Sequence, residues 1–365
     1  MKKIVFLIDN LSPGGAQRHI TNLAILFKKR NYDVEVVVYQ DIPFFKPALD
    51  DANISVTLIN AKSNLFRMLN IRRHLNRSGA SAVIAFLEVP GFIACFSKMG
   101  HKRWKLITNE LSAKESTFAN KRNKLFNWFE RYSDAKVGNS QNAINMWKKH
   151  YPQYNDKYHV IYNPVIIANE YLDHKHVYRS NGKTTITVAA SYQELKNPYR
   201  LIEAVDLLSD EMKSRLEINW YGREEITTGY TEVYEKATAM IKERKLGDTI
   251  KLHNETDKIY KIMSESDVVG LFSTVEGLPN TICEAMALGK PIIMSKVSDY
   301  DVLVDGNGFL CDPFSVESIL EALENILIAS DDELIKMGKQ SHHMADLLFD
   351  DEIIVNQWID VIKAK

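Results

Sequence analysis

Ser273-Thr-Val-Glu-Gly-Leu-Pro-Asn-Thr-Ile-Cys-Glu-Ala-Met-Ala-Leu-Gly-Lys-Pro-Ile-Ile293 reads as a strand end, a turn, a short helix and the start of the next strand. Gly277 and Pro279 break regular structure, Asn280 or Thr281 can cap a helix, and Gly289 before Lys290-Pro291 can end it. A helix is therefore expected from about Thr281 to Leu288. The first N–H groups of a helix lack intrahelical partners and sit at the positive end of its dipole, so they suit an anion such as a phosphate. Glu276 stands before that site and Glu284 just inside the helix. Like charge keeps a carboxylate from binding phosphate, but it accepts hydrogen bonds from hydroxyls. The two glutamates thus fit a ligand that carries both, as a nucleotide-sugar does.

Outward from this stretch, apolar runs alternate with helical patterns. Ile4 to Ile8 and Val34 to Tyr39 flank an amphipathic segment from about Ala16 to Lys29, a βαβ unit. Strand-like runs follow at Ser55–Ile59, Ala82–Phe86, Lys105–Thr108, Lys136–Gly138 and Tyr158–Ile161. A second series covers Thr184–Ala190, Glu217–Tyr221, Thr249–Leu252, Val268–Phe272, Pro291–Met294 and Gly308–Leu310. Such alternation predicts α/β architecture with parallel sheets covered on both faces. At 365 residues the chain suits two domains. Asn163-Pro164 and the polar stretch Asp173 to Lys183 are the connector candidates.

Composition narrows the function. With 46 basic and 47 acidic residues the net charge is -1, which gives no reason to expect a nucleic-acid partner. Locally, Glu88 is the only acidic residue between Asp51 and Glu110, while Lys62, Arg67, Arg72, Arg73, Arg77, Lys98, Lys102, Arg103 and Lys105 are basic, so the amino-terminal half is expected to carry a positive face. Cys95, Cys283 and Cys311 are odd in number and set among apolar residues, which argues against a disulfide framework or zinc site and for a cytoplasmic location. Any membrane contact is expected to be peripheral, because no apolar run approaches the roughly 20 residues of a spanning helix. Leu65 to Arg77 mixes apolar residues with arginines at helical spacing, in the manner of an interfacial helix at anionic lipid on the inner face of the membrane, or of an ordinary surface helix.

Glu276-Gly-Leu-Pro-Asn-Thr-Ile-Cys-Glu284 resembles the Glu-x7-Glu motif of family 4 glycosyltransferases, and the following Ala-Met-Ala-x-Gly-Lys-Pro agrees with it. The resemblance implies a GT-B fold, two Rossmann-like parallel-sheet domains facing a central cleft. It implies retaining, metal-independent transfer from a nucleotide-diphosphate sugar, with a UDP-sugar favoured and no cofactor. Ile161-Tyr-Asn-Pro-Val165 is similar to the family's hinge, which puts an acceptor domain at 1–165, a donor domain at 166–349 and a tail helix at 350–365 crossing back to the first. The acceptor is then a glycan or lipid-linked oligosaccharide of envelope polysaccharide synthesis.

By the same resemblance Glu284 holds ribose hydroxyls and Glu276 positions the sugar, with Gly277, Leu278, Pro279, Asn280 and Thr281 around the phosphates. Gly14 and Gly15, in Gly-Gly-Ala-Gln-Arg, match a loop that faces the donor phosphates; the absence of Gly-x-Gly-x-x-Gly disfavours a nicotinamide cofactor. Lys196 matches the family's diphosphate-binding lysine, but Ser191 stands where an arginine is expected, so either Ser191 donates a weaker neutral hydrogen bond or another cation such as Arg200 or Arg223 moves in. His253 and Asn254 match the loop near the base. Glu88, after a strand, is the candidate for orienting the acceptor hydroxyl, and Glu110 is a second. Asp299-Tyr-Asp301 has the spacing of a metal-binding pair but follows the last strands, so no metal is expected there. Two other readings are an epimerase of the same fold, and a two-lobed nucleotide-sugar binding protein, which the loss at Ser191 favours.

Overall fold

In a computed structural model, the chain is described over residues 2–100, 103–111, 116–172, 176–225 and 229–364. It divides into two compact units, the first made of Met1–Ile166 with Asp350–Lys365 and the second of Ile167–Phe349.

In the first unit, strands β1 (Lys3–Leu7), β2 (Asp33–Val38), β3 (Ser55–Leu58), β4 (Ala82–Phe86), β5 (Lys105–Glu110), β6 (Ala135–Gly138) and β7 (Tyr158–Val160) pair in parallel in the order β3-β2-β1-β4-β5-β6-β7. Side chains alternate along a strand, and here both faces are buried, so β1 reads as an unbroken apolar run. Ile4 and Phe6 face one core with Phe27, Phe86 and Trp358; Val5 and Leu7 face another with Ile71, Leu75 and Trp104. The tail helix Asp351–Lys363 belongs to this unit. It buries Ile354, Val355, Trp358, Ile359 and Val361, and the Trp358 ring stacks on Phe86 at 6.4 Å.

The second unit orders β8 (Thr184–Ala189), β9 (Leu216–Gly222), β10 (Ile250–Asn254), β11 (Val268–Leu271), β12 (Ile292–Ser295) and β13 (Gly308–Cys311) as β10-β9-β8-β11-β12-β13. Of the predicted connector, residues 173–175 lie outside the described residues, and 176–183 is built into this unit. Asp267 explains why: its carboxylate accepts from the Arg179 and Thr185 N–H groups at 2.9 and 2.7 Å and pairs with His176 at 2.8 Å. Burial raises the pKa of this carboxyl, but the bonds from His176, Thr185 and Arg179 outweigh it and hold the acid below its ordinary value.

Part of the expected positive face of the first unit is spent on internal bonds. Arg72 donates to the carbonyl oxygens of Phe96 and Met99 and so caps the helix Glu88–Lys98. Lys98 pairs with Asp134, and Lys105 donates to the Ala364 carbonyl. Lys102 lies outside the described residues. All three cysteines are buried free thiols. Among the described residues no helix is long and apolar enough to cross a membrane.

Glu35 on β2 is buried against Lys3 at 2.9 Å, His74 at 2.8 Å and Thr57 at 2.7 Å. Burial raises its pKa, but the three donors outweigh that and hold it at about 2, against an ordinary 4.5. A depressed carboxylate contributes stability that is present above the unfolded-state value and lost as pH falls through the folded one. Urea melts should therefore show an acid-induced loss of stability between about pH 4.5 and 2 that is smaller in Glu35→Gln, and that variant should lose about 1–2 kcal/mol at neutral pH. Identical acid profiles would remove Glu35 from this role.

Candidate active site

Strands β8 and β11 are neighbours, yet the chain continues from β8 towards β9 and β10 and from β11 towards β12 and β13. The loops after them therefore leave in opposite directions, which opens a crevice at their carboxyl ends. Both stretches singled out in the sequence, Ala189 to Asn197 and Ser273 to Thr281, lie there. Three contacts tie them: Thr274 N–H to the Leu195 carbonyl at 2.8 Å, Thr281 Oγ1 to the Ala189 carbonyl at 3.0 Å, and Lys196 Nζ to Glu276 Oε1 at 2.6 Å. The last pair is well shielded, with side chains 19% and 13% exposed.

The motif helix spans Asn280–Ala287, and its capping differs from the expectation. Pro279 is the N-cap and no side chain caps the end. Thr281 cannot cap because its hydroxyl crosses to β8. Instead, Ile282 and Cys283 N–H bond to the Pro279 carbonyl and Asn280 N–H to Leu278. Among the described residues, the Thr281 N–H has no acceptor, so the anion-binding end is narrower than the sequence suggested. Gly289, at φ +67°, closes the helix in the left-handed region that glycine favours. Lys290 next to it is buried and donates to the Ser264 and Ser266 carbonyls at 2.5 and 3.0 Å; burial lowers its pKa to about 8. It pins the helix to the start of β11, a role the sequence did not announce.

Glu284, half-buried on this helix, accepts from Tyr260 Oη at 3.3 Å. Gly277 accepts from the Ser298 hydroxyl. Arg200 and Arg223 are both engaged by neighbouring side chains. Arg223 pairs with Glu255 at 3.3 Å, and Arg200 donates to Asn197 Oδ1 at 3.1 Å. Ser191 Oγ accepts from Gln193 Nε2 at 2.7 Å.

His253 and Asn254 end β10. The His253 ring stacks on Tyr221 at 4.4 Å and bonds Asn219 at 2.9 Å, and burial lowers its pKa. Its backbone N–H is taken by the hydroxyl of Tyr192 at 3.0 Å. Tyr192 was missed in the sequence; it is buried where the β8, β9 and β10 ends converge, 2.9 Å from the Trp220 and His253 carbonyl oxygens.

In the first unit, Gly14 caps the helix Gly15–Lys29 in extended backbone at φ -167°, so its conformation does not require glycine. Glu88 opens the helix Glu88–Lys98 after Leu87, which takes φ +75°. Together with Glu110 it lines a cavity of about 570 Å³. Glu110 ends β5 and accepts from Trp147 Nε1 at 2.9 Å. Burial first, and then the nearby Glu110 charge, raise the Glu88 pKa.

Two parallel sheets of this kind are the architecture of GT-B glycosyltransferases, and comparison with known proteins agrees. Residues 172–344 match the family model "Glycosyl transferases group 1" and residues 13–168 match "Glycosyltransferase Family 4". The chain belongs to the group 1, family 4 glycosyltransferases. It is 24% identical to an uncharacterized glycosyltransferase of Haemophilus influenzae, over 99% of this chain and 100% of that protein. It is 21% identical to the N-acetylgalactosamine-N,N'-diacetylbacillosaminyl-diphospho-undecaprenol 4-alpha-N-acetylgalactosaminyltransferase of Campylobacter jejuni, over 96% of each. Among solved structures, Anabaena Alr3699/HepE in complex with UDP superposes with a TM-score of 0.85 at 18% identity, covering 100% of both chains. Its complex with UDP-glucose gives 0.82 at 17%, again over 100% of both.

The shielded Lys196–Glu276 pair makes a direct prediction. A double-mutant cycle of Lys196→Met and Glu276→Gln, followed by urea unfolding, should give a coupling energy of about 1–2 kcal/mol. Additive effects would mean that the pair does not hold the two loops together.

Proposed function

We propose that this glycosyltransferase moves a hexose-type sugar from a nucleotide-diphosphate sugar, with UDP favoured, to a glycan or lipid-linked acceptor of envelope polysaccharide synthesis, with retention and without a metal. The observation that carries the reading is Lys196 held against Glu276 beside the motif helix at the β8/β11 crevice. The UDP and UDP-glucose complexes of the Anabaena protein support the donor, and the diphospho-undecaprenol in the Campylobacter relative's name supports a lipid-linked acceptor. The second unit is then the donor domain and the first the acceptor domain.

In this reading a bound donor exchanges the internal pair for two external ones. The diphosphate takes Lys196 Nζ and the Thr281 N–H, and a sugar hydroxyl donates to Glu276. As the bond from the anomeric carbon to the diphosphate oxygen breaks, negative charge grows on the departing oxygen and positive charge on the sugar. Lys196 and the helix end stabilise the first, and the Glu276 carboxylate the second. The acceptor hydroxyl attacks from the face the leaving group vacates, and its proton passes to the departing diphosphate. Glu284 holds the ribose, Gly277 to Asn280 enclose the phosphates, and His253 and Asn254 border the base. Gly14, Gly15 and Glu88 serve from the acceptor domain, Glu88 by orienting the acceptor hydroxyl.

The engagement of Arg200 and Arg223 elsewhere, with Ser191 uncharged, favours one second reading, a binding protein with little turnover. Incubation with UDP-, GDP- and ADP-sugars in EDTA separates the two: transfer chemistry releases nucleotide diphosphate, whereas a binding protein is stabilised thermally and releases none even with lipid-linked acceptors. Lys196→Ala should cost about two or more decades of release rate. Glu276→Ala should mainly lower kcat, and Glu284→Ala should mainly weaken nucleotide binding; the reverse pattern would overturn the assignments.

We also propose a cytoplasmic location with peripheral contact to anionic membrane through the helix Asn64–Arg77, whose Leu65 and Phe66 are 62% and 63% exposed. Because Arg72 is structural, the informative variant is Arg73→Glu with Arg77→Glu. It should bind vesicles containing phosphatidylglycerol more weakly than the parent; equal binding would exclude the contact.

A further inference from the structure

The cavity of the first unit holds a polar group that the fold leaves unused. Asn109, next to the end of β5, is 5% exposed and lines the cavity, yet neither its amide nitrogen nor its amide oxygen has a hydrogen-bond partner among the described residues. An unpaired buried amide destabilises a fold, so its presence on a cavity wall points to a ligand that completes it. The surroundings say which kind. Four carboxylates line the space, Asp9, Glu88, Glu110 and Glu130, against two cations. One of these, Lys136, is matched by Glu130 at 3.0 Å. The other, Arg67, lies over the Tyr39 ring at 5.1 Å and donates to Asn64 Oδ1 at 3.1 Å, with its Nε unpartnered among the described residues. Arg122 stands 3.8 Å from Glu88, so the carboxylates still outnumber the cations. Phosphate or a uronate would meet net repulsion here, whereas hydroxyls would find carboxylate acceptors. The rings of Phe92 and Phe126, stacked at 4.4 Å, supply an apolar wall for the C–H face of a sugar. A volume of about 570 Å³ falls within the range of small-molecule sites.

We infer that this cavity takes an uncharged sugar ring of the acceptor, and that Asn109 is a specificity-determining residue that donates to and accepts from its substituents. The inference rests on the acceptor-domain reading above and deepens it: the basic residues nearby in sequence do not make this pocket a diphosphate site.

Saturation-transfer NMR on the full chain with UDP present tests it, using methyl glycosides of glucose, galactose, N-acetylglucosamine and N-acetylgalactosamine, with methyl glucuronide as the charged control. At least one neutral glycoside should bind, and the glucuronide at least about tenfold more weakly. Asn109→Leu should weaken the neutral glycoside by about tenfold or more while leaving Tm unchanged or raised, since Asn109 holds no bond in the fold. Glu276→Ala should leave that binding intact, which excludes the donor crevice as its location. If Asn109→Leu does not fold, Asn109→Ser replaces it with the same expectation for binding. Absence of neutral-glycoside binding, equal binding of the glucuronide, or an Asn109 variant within about threefold of the parent would overturn the inference. UDP affinity on the same samples separates the two readings. UDP binding without glycoside binding refutes this inference alone, and no UDP binding refutes the donor assignment.

Discussion

Two loops that leave a sheet in opposite directions are not paired by the sheet itself, and in the second unit the Lys196–Glu276 ion pair, with two hydrogen bonds, holds them together. Its cost and its gain have the same origin. Shielding strips water from both charges, which is unfavourable, and strengthens their attraction, which is favourable. The two bonds to the Leu195 and Ala189 carbonyls fix the backbones on either side, so the charges meet without further ordering of the chain. The result is a cation already positioned beside a helix start.

How far the sequence reaches follows from the range of the forces involved. The buried parallel strands were legible because burial on both faces demands continuous apolar runs, and Ile4 to Leu7 meets that demand without a break. The motif helix came out displaced by one residue, since Gly289 marks its end by a local conformational need. What could not be read was where long polar side chains go. Lys196 and Glu276 are 80 residues apart, and Arg179 and Asp331 are 152 apart. No local pattern encodes such pairings. The same blindness made Arg72 look like a surface charge when it caps a helix, and made Thr281 look like a cap when its hydroxyl bonds a neighbouring strand.

Charge in the first unit shows the difference between sequence neighbourhood and spatial neighbourhood. The acid-poor stretch from residue 52 to 109 is basic on paper, but its cavity draws its acidic groups from positions scattered along the unit, Asp9, Glu88, Glu110 and Glu130. Parallel topology accounts for this. Every strand of such a sheet delivers its carboxyl end to the same edge, so residues remote in sequence accumulate there.

The helix Asp351–Lys363 imposes an order on biogenesis. A ribosome makes the whole of the second unit before it makes Trp358, which fills the core of the first against Phe86. Domains generally fold as units during synthesis, with the amino-terminal one first. Here the amino-terminal sheet must wait with an apolar face uncovered while residues 167–349 are translated, and the later-made unit is the first able to finish. That interval exposes the nascent chain to aggregation, and shielding of that face by a chaperone would matter most then.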